Sequence, residues 1–222
     1  MESVSITEEN YLKAIFKISE KEDRPVSNKA ISEAMATSAA SVTDMLRRLK
    51  RDGYINYESR KGVTLTENGK KIATTLVRKH RLWEVFLVDK LDFSWDEVHN
   101  IAEELEHINS EELVVRLDKY LGFPKFDPHG DPIPDADGNF AERQQILLSE
   151  LEIGKLAVLV GVNEHSATFL QYLDRLELSL GTEIKLLEKF EFDESIKVQY
   201  AKQQKEVILT DKVSQNLFVR LL

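Results

Sequence analysis

Apolar residues recur at three- and four-residue spacing through the first half of the chain and alternate in the last third, so the pattern predicts helices first and strands later. Tyr11, Leu12, Ile15, Phe16 and Ile18 mark the inner side of a first helix, with Thr7 placed to cap it and Glu9 and Asn10 in its first turn. Ser27 caps a second helix through Ala30, Ile31, Ala34 and Met35. Thr37-Ser38 interrupts and caps a third over 39–51, with Val42, Met45, Leu46 and Leu49 inward and Asp52-Gly53 as its stop. Residues 54–57 and 63–65 are strand-like and flank Glu58-Ser59-Arg60-Lys61-Gly62, a hairpin with a basic tip. Thr66 caps a long helix reaching to about residue 89, Ser94 opens another ending near Ile108, and Ser110 starts one that closes at Leu121-Gly122.

Residues 123–139 hold four of the five prolines and are expected to be a loop or linker. Asp135-Ala136-Asp137-Gly138 has a calcium-loop texture, but Ile133 and Gln144 stand where the first and last ligands belong, which excludes that reading. Short strands are expected at 157–162, 183–188, 196–200, 207–209 and 217–222, interrupted by a helix at 167–176. So small an all-β unit closes its edges best as an SH3-like barrel. The expected fold is therefore mainly α with a small β domain. It comprises a winged helix-turn-helix over 1–73, a helical dimerisation domain with linker over 74–140, and the barrel over 141–222.

Three helices followed by a basic-tipped hairpin place the third helix in the major groove and the hairpin tip on the flanking backbone. Ser38, Ser41, Thr43 and Asp44 stand at the start of that helix, where base edges and phosphates are reached. Arg47, Arg48, Lys50, Arg51, Arg60 and Lys61 are the expected phosphate contacts. A net charge of −9 opposes DNA binding when taken as a whole, but it is unevenly spread. Residues 1–73 hold 13 Lys/Arg against 11 Asp/Glu, and the remainder holds 17 against 28. That asymmetry assigns the polyanion partner to the N-terminal part. A winged module reading a palindromic double-stranded operator calls for a two-fold partner, so a homodimer is expected. No apolar run is long enough to cross a bilayer and no signal segment opens the chain, which points to the cytoplasm.

Zero cysteines remove disulfides, thiolate zinc sites and cysteine nucleophiles. Any metal must be held by oxygen and imidazole. Over 98–108, Val98, Ile101, Leu105 and Ile108 share one side of a helix, while His99, Glu103, Glu106 and His107 share the other. His80 and Glu84 lie four apart on the preceding helix and so on one face. Each histidine singly is an ordinary surface or core residue; their gathering with carboxylates suggests a divalent cation. Donors of this hardness suit Mn²⁺ or Fe²⁺.

The run Arg78-Lys79-His80-Arg81-Leu82-Trp83-Glu84, then Val98-His99, then Glu103-x-x-Glu106-His107, resembles the diphtheria toxin repressor family of metal-dependent transcriptional regulators. Gly122-Phe123-Pro124, Pro128-His129-Gly130 and Pro132-Ile133-Pro134 are similar to its linker, and the likeness spans nearly the whole chain. It implies a repressor of metal uptake with Mn²⁺ or Fe²⁺ as corepressor, and a C-terminal FeoA-like barrel. It also implies a primary site of Asn10, Glu103, Glu106 and His107, and an ancillary site of His80, Glu84 and His99 completed by His165 or its neighbour Glu164. Iron-type members carry a thioether and a thiol where this chain has Asn10 and Glu103, and manganese-type members usually a carboxylate at the position of Asn10. Short manganese regulators with a paired-metal site have Glu at the position of Lys13; a cation there would repel a second nearby Mn²⁺, so two separated sites are expected.

Two other function classes compete: a winged-helix regulator sensing an organic ligand, and a metallohydrolase with an open His/Glu site. The sequence has no glycine-rich phosphate loop and no nucleophile elbow to support the second.

Overall fold

Ser5 is followed three residues later by Glu8, and the two cap each other reciprocally at the start of α1 (Ile6–Ser19). Ser5, rather than the expected Thr7, is thus the N-cap. A serine with Glu three positions on satisfies two free amides at once, which a threonine inside the first turn cannot do. The computed structural model describes residues 4–20, 24–58, 61–200 and 205–222. The described residues form two compact units, one of 1–80, 103–111 and 134–140, the other of 81–102, 112–133 and 141–222.

In the first unit, α1 is followed by α2 (Asn28–Ala34) and α3 (Ala39–Arg51), capped by Ser27 and Ser38 as the sequence indicates. Gly53, at φ 80°, turns the chain out of α3. The hairpin β1 (Ile55–Glu58) and β2 (Gly62–Leu65) pairs antiparallel with Ile55 opposite Leu65. Arg60 in its tip lies outside the described residues. Leu12, Ile15, Ile31, Val42, Leu46, Leu49, Val63 and Val77 fill one core between these elements, and Phe140 stacks on Phe16 at 5.8 Å. This is a winged helix-turn-helix.

The long helix α4 (Glu67–Leu91) begins in the first unit and ends in the second. α5 spans only Val98–Leu105, shorter than the sequence pattern predicts, so Glu106 and His107 occupy the turn beyond it. In the second unit Leu82 and Val85 pack with Ile133 and with Leu117 of α6 (Glu111–Tyr120).

The C-terminal part is a six-stranded antiparallel sheet in the order β3-β8-β4-β5-β6-β7. Its strands are β3 (Ile146–Leu147), β4 (Leu156–Val162), β5 (Glu183–Lys189), β6 (Ile196–Tyr200), β7 (Lys205–Leu209) and β8 (Leu217–Leu221). Leu170 and Leu173 of α7 (Ala167–Arg175) seal its apolar core, and α8 (Asp211–Ser214) leads into β8. β3 and α8, each too short to set up a period, are absent from the sequence expectation. The register between β4 and β8 shifts between Leu159 and Gly161, a bulge that bends the strand.

Candidate metal centres and DNA-reading helix

Ser38, Ser41, Asp44 and Arg47 are exposed at the start of α3 and along its outer side. Ser38 Oγ accepts the Ser41 amide at 3.2 Å, and Thr43 Oγ1 donates to the Ala39 carbonyl at 2.8 Å, so these hydroxyls are oriented by their own helix. Arg47 is paired with Asp44 at 3.3 Å across two exposed side chains, an arrangement a phosphate readily replaces. Arg48 and Lys50, expected as phosphate contacts, are exposed and also make contacts within the unit. Arg48 Nε sits 2.7 Å from the buried carboxylate of Glu8 and so fastens α3 to α1. Lys50 donates to the Tyr57 carbonyl at 2.9 Å, fastening α3 to the wing. Lys61, at the tip, pairs with exposed Glu58 at 2.9 Å.

A first cluster of ionisable groups lies within the first unit. Lys13 Nζ donates to both oxygens of Glu106, at 2.8 and 2.6 Å, and stands 3.5 Å from Glu103. His80 Nδ1 is 2.6 Å from Glu106 and 3.3 Å from Lys13. Burial acts to raise the Glu106 carboxyl, yet the hydrogen bond from His80 and the Lys13 ammonium outweigh it and hold the group below its ordinary value. His107 is met by Glu9, at 2.7 Å, from the first turn of α1. The expected partner from that turn was the next residue, Asn10.

A second cluster lies wholly within the second unit; Glu84, His99 and His165 were expected in it, Asp127 and His129 were not. Glu84, Asp127 and His129 are buried, and each offers a ligating atom within 4.8 Å of the others. His99 reaches Glu84 at 3.4 Å; His80 stands one turn before Glu84 on α4. His129 Nε2 donates to the Trp95 carbonyl at 2.7 Å, which leaves Nδ1 as the nitrogen that can bind an ion once it gives up its proton. That Nδ1 is buried without a hydrogen-bond partner, 3.7 Å from Glu84. His165 stacks on His129 with ring centroids 4.7 Å apart, and donates toward the Val162 carbonyl at 3.2 Å. Glu164 accepts the Ser166 amide at 2.8 Å.

The loop that delivers Asp127 and His129 is tightly built, although its composition predicts only a linker. Asp127 Oδ1 accepts the amides of His129 and Asp131, both at 2.9 Å. Gly130, at φ 85°, presses on β4 so closely that a Cβ would lie 2.1 Å from the Val160 carbonyl oxygen. Arg81 anchors the far side, 3.5 Å from Asp127 and 3.3 Å from Asp131, and Arg143 adds a 2.5 Å contact to Asp131. The sequence signal was Asp127-Pro128-His129-Gly130-Asp131, three potential ligands at two-residue spacing inside a proline-rich segment.

Electrostatics show what this cluster lacks. Burial, reinforced by the charges of Glu84 and Asp131, pushes the Asp127 carboxyl up from 3.8 to about 7. Burial would lower His129, but Glu84 and Asp127 hold it up at about 9. Burial, with the charge of His129 beside it, takes His165 below its usual value against the pull of Asp131. An unpartnered imidazole nitrogen facing two buried carboxylates, one of them driven toward neutrality, is a donor set that fits a divalent cation.

A winged helix-turn-helix joined to a carboxylate–imidazole metal centre and a small β domain defines a metal-responsive DNA-binding regulator. The chain belongs to the iron-dependent repressor family. Residues 4–63 match its "Iron dependent repressor, N-terminal DNA binding domain", 66–135 its "metal binding and dimerisation domain", and 146–221 the "FeoA domain". It is similar to the iron-dependent repressor IdeR of Mycobacterium leprae, 33% identical over 180 residues that cover 77% of this chain and 78% of that one. The diphtheria toxin repressor of Corynebacterium diphtheriae is 28% identical over 200 residues, covering 85% and 88%. Among solved structures, a manganese-dependent transcriptional repressor in complex with manganese superposes with TM-score 0.88 at 35% identity, over 97% of this chain and 100% of that one. ScaR with bound Zn²⁺ superposes with TM-score 0.78 at 32% identity, over 97% and 99%. The protein is a metal-responsive transcriptional repressor, built to bind DNA and to dimerise.

Proposed function

We propose that the chain represses metal-uptake genes with Mn²⁺ as corepressor, and that Glu84, Asp127 and His129 hold the ion. The observation that carries this reading is the buried, unpartnered Nδ1 of His129 facing two buried carboxylates. His99, on Glu84, and His165, stacked on His129, border the same place and complete its imidazole lining. With only oxygen and nitrogen donors the site suits Mn²⁺, with Fe²⁺ the alternative ion of the same hardness. Bound metal supplies the positive charge that these carboxylates lack. It shifts the protein toward the arrangement that grips DNA only by binding that arrangement more tightly, with a coupling of about 1–3 kcal/mol, or roughly 5- to 150-fold in affinity.

Ser38, Ser41, Thr43 and Asp44 read the major groove from α3, and Arg47, Arg60 and Lys61 contact the phosphate backbone. The exposed Val115 and Tyr120 of α6, with Phe123, offer an apolar face to a two-fold partner. The reading divides the chain into a DNA-binding domain over 1–73, a metal and dimer domain over 74–140 and the β domain over 141–222, a cytoplasmic regulator without catalytic activity. The test is a gel shift on operator fragments selected from a random duplex pool, with Mn²⁺, with Fe²⁺ under anaerobic conditions and with chelator. Mn²⁺ should tighten binding of the wild type and fail to do so for Glu84→Gln and His129→Ala. Metal-stimulated binding retained in both variants removes the assignment.

A further inference from the structure

Lys13 and Glu106 are 5% and 1% exposed, and with His80 beside them they form a dry cluster inside the first unit. Lys13 carries three N–H donors and no acceptor. Its neighbours are both oxygens of Glu106, Oε1 of Glu103 and Nδ1 of His80, all at 2.6–3.5 Å. These are the kinds of group that wrap a divalent ion. A hard cation takes its oxygen ligands at about 2.0–2.6 Å, so it would have to lie between the oxygens that the ammonium already holds. Two cations in one dry pocket repel strongly, because little water screens them. The remaining expected donor, His107, is engaged by Glu9 through Nδ1 at 2.7 Å, with Nε2 3.8 Å from Glu106. As arranged in this chain, Glu103, Glu106 and His107 do not fit a metal ion.

We infer that the Lys13 ammonium is the resident cation of the Glu103–Glu106–His80 cluster, fastening α1 to the segment after α5 and excluding metal from it. The contact between α1 and residues 103–107 is then made by the chain's own side chains, through Lys13–Glu106 and Glu9–His107, and does not vary with metal supply. Metal loading is confined to centres outside this cluster. The argument uses only first-unit contacts, so it stands apart from the assignment of Glu84, Asp127 and His129.

The experiment counts Mn²⁺ bound per chain by equilibrium dialysis on the full-length protein and its variants. Glu103→Gln, at a half-exposed position, and Glu106→Gln should leave the wild-type count unchanged. Lys13→Gln, which removes the charge but keeps most of the length, should raise the count by one, and the double variant Lys13→Gln/Glu106→Gln should return it to the wild-type value. Lys13→Arg, which restores a cation, should match the wild type. A wild-type count that falls by one on Glu106→Gln or Glu103→Gln overturns the inference, as does a folded Lys13→Gln protein with no added site. If Lys13→Gln does not fold, the two glutamine variants decide alone. Failure of the second-unit assignment has a different signature: Glu84→Gln and His129→Ala would then bind as much Mn²⁺ as the wild type, whatever happens at Lys13.

Discussion

Replacing Asp127 by Asn should stabilise the metal-free protein while abolishing its response to Mn²⁺, a pair of opposite effects that few other substitutions would give. The Asp127 carboxyl is displaced from 3.8 to about 7 by burial and by the charges of Glu84 and Asp131. A carboxyl whose folded value lies above its unfolded one opposes folding once ionised. That opposition is fully present above about pH 7 and fades as the pH falls through 7 toward about 4, where both states are protonated. A tenfold change in proton affinity is worth about 1.4 kcal/mol, so the displacement sets a ceiling of about 4 kcal/mol on what Asn could recover at pH 8. Asn keeps the oxygen that accepts the His129 and Asp131 amides. It loses the attraction of Arg81 at 3.5 Å and turns an amide toward that guanidinium, which brings the expectation down to about 1–2 kcal/mol. For a chain of this length that corresponds to a rise in Tm of about 2–8 °C. The assay is thermal unfolding at pH 8 in chelator, repeated at pH 5.5 and then with excess Mn²⁺. The gap between variant and wild type should narrow at pH 5.5. The wild type should gain about 2.7 kcal/mol at a hundredfold excess of Mn²⁺ over its Kd, and the variant almost nothing. A variant that is less stable than the wild type in chelator at pH 8, yet still stabilised by Mn²⁺, would refute the reasoning.

Three further substitutions probe the framework around the two clusters. Gly130→Ala should cost at least 3 kcal/mol and lower Mn²⁺ affinity more than tenfold, since it combines a left-handed φ with a Cβ 2.1 Å from the Val160 oxygen; denaturant melts and metal titration check it. Ser5→Ala removes a capping box and should destabilise the protein by about 1 kcal/mol with no change in Mn²⁺ affinity, measured by the same melts. Arg47→Ala should weaken binding of selected and unselected duplexes alike and reduce the slope of log K against log salt by about 1, read by fluorescence anisotropy at several salt concentrations.

The caps of α2 and α3, the glycine stop and the alternating strands were legible in the sequence because each depends on neighbours within a few residues. The opening cap was legible too, in Ser5 and Glu8, but Thr7 two positions on offered the same chemistry and only the backbone geometry separates them. α5 ends at Leu105 although its apolar pattern runs to Ile108, because periodicity does not register that Glu106 and His107 leave the helix to meet Lys13 and Glu9. The contacts of Arg48 with Glu8 and of Lys50 with the Tyr57 carbonyl were hidden for a similar reason, since nothing local in the sequence shows them. The placement of Asp127 and His129 beside Glu84 was hidden deepest. Their proline-rich surroundings signal a linker, and their burial arises only when Gly130 seats the loop on β4.

The two clusters pose the same physical problem, buried carboxylates in need of positive charge, and they solve it differently. Glu106 is compensated from within the chain: a lysine and a histidine reach it, and its carboxyl is held below the ordinary value despite burial. Asp127 is compensated only in part. Arg81 also serves Asp131 and the Pro132 carbonyl, His129 is shared with Glu84, and the Asp127 carboxyl is driven up to about 7. The two buried acids are displaced in opposite directions, Glu106 toward its charged form and Asp127 toward its neutral one, which supports assigning the cation from solution to the second. A sensor requires the second kind. A site with its own lysine is loaded at any metal concentration, whereas one short of charge changes state when the ion arrives. Under the proposed assignment the response to metal originates at Glu84, Asp127 and His129, and α4, which carries Glu84 in its C-terminal half and the core residues Ala73 and Val77 nearer its start, is the covalent connection between that cluster and the DNA-binding core.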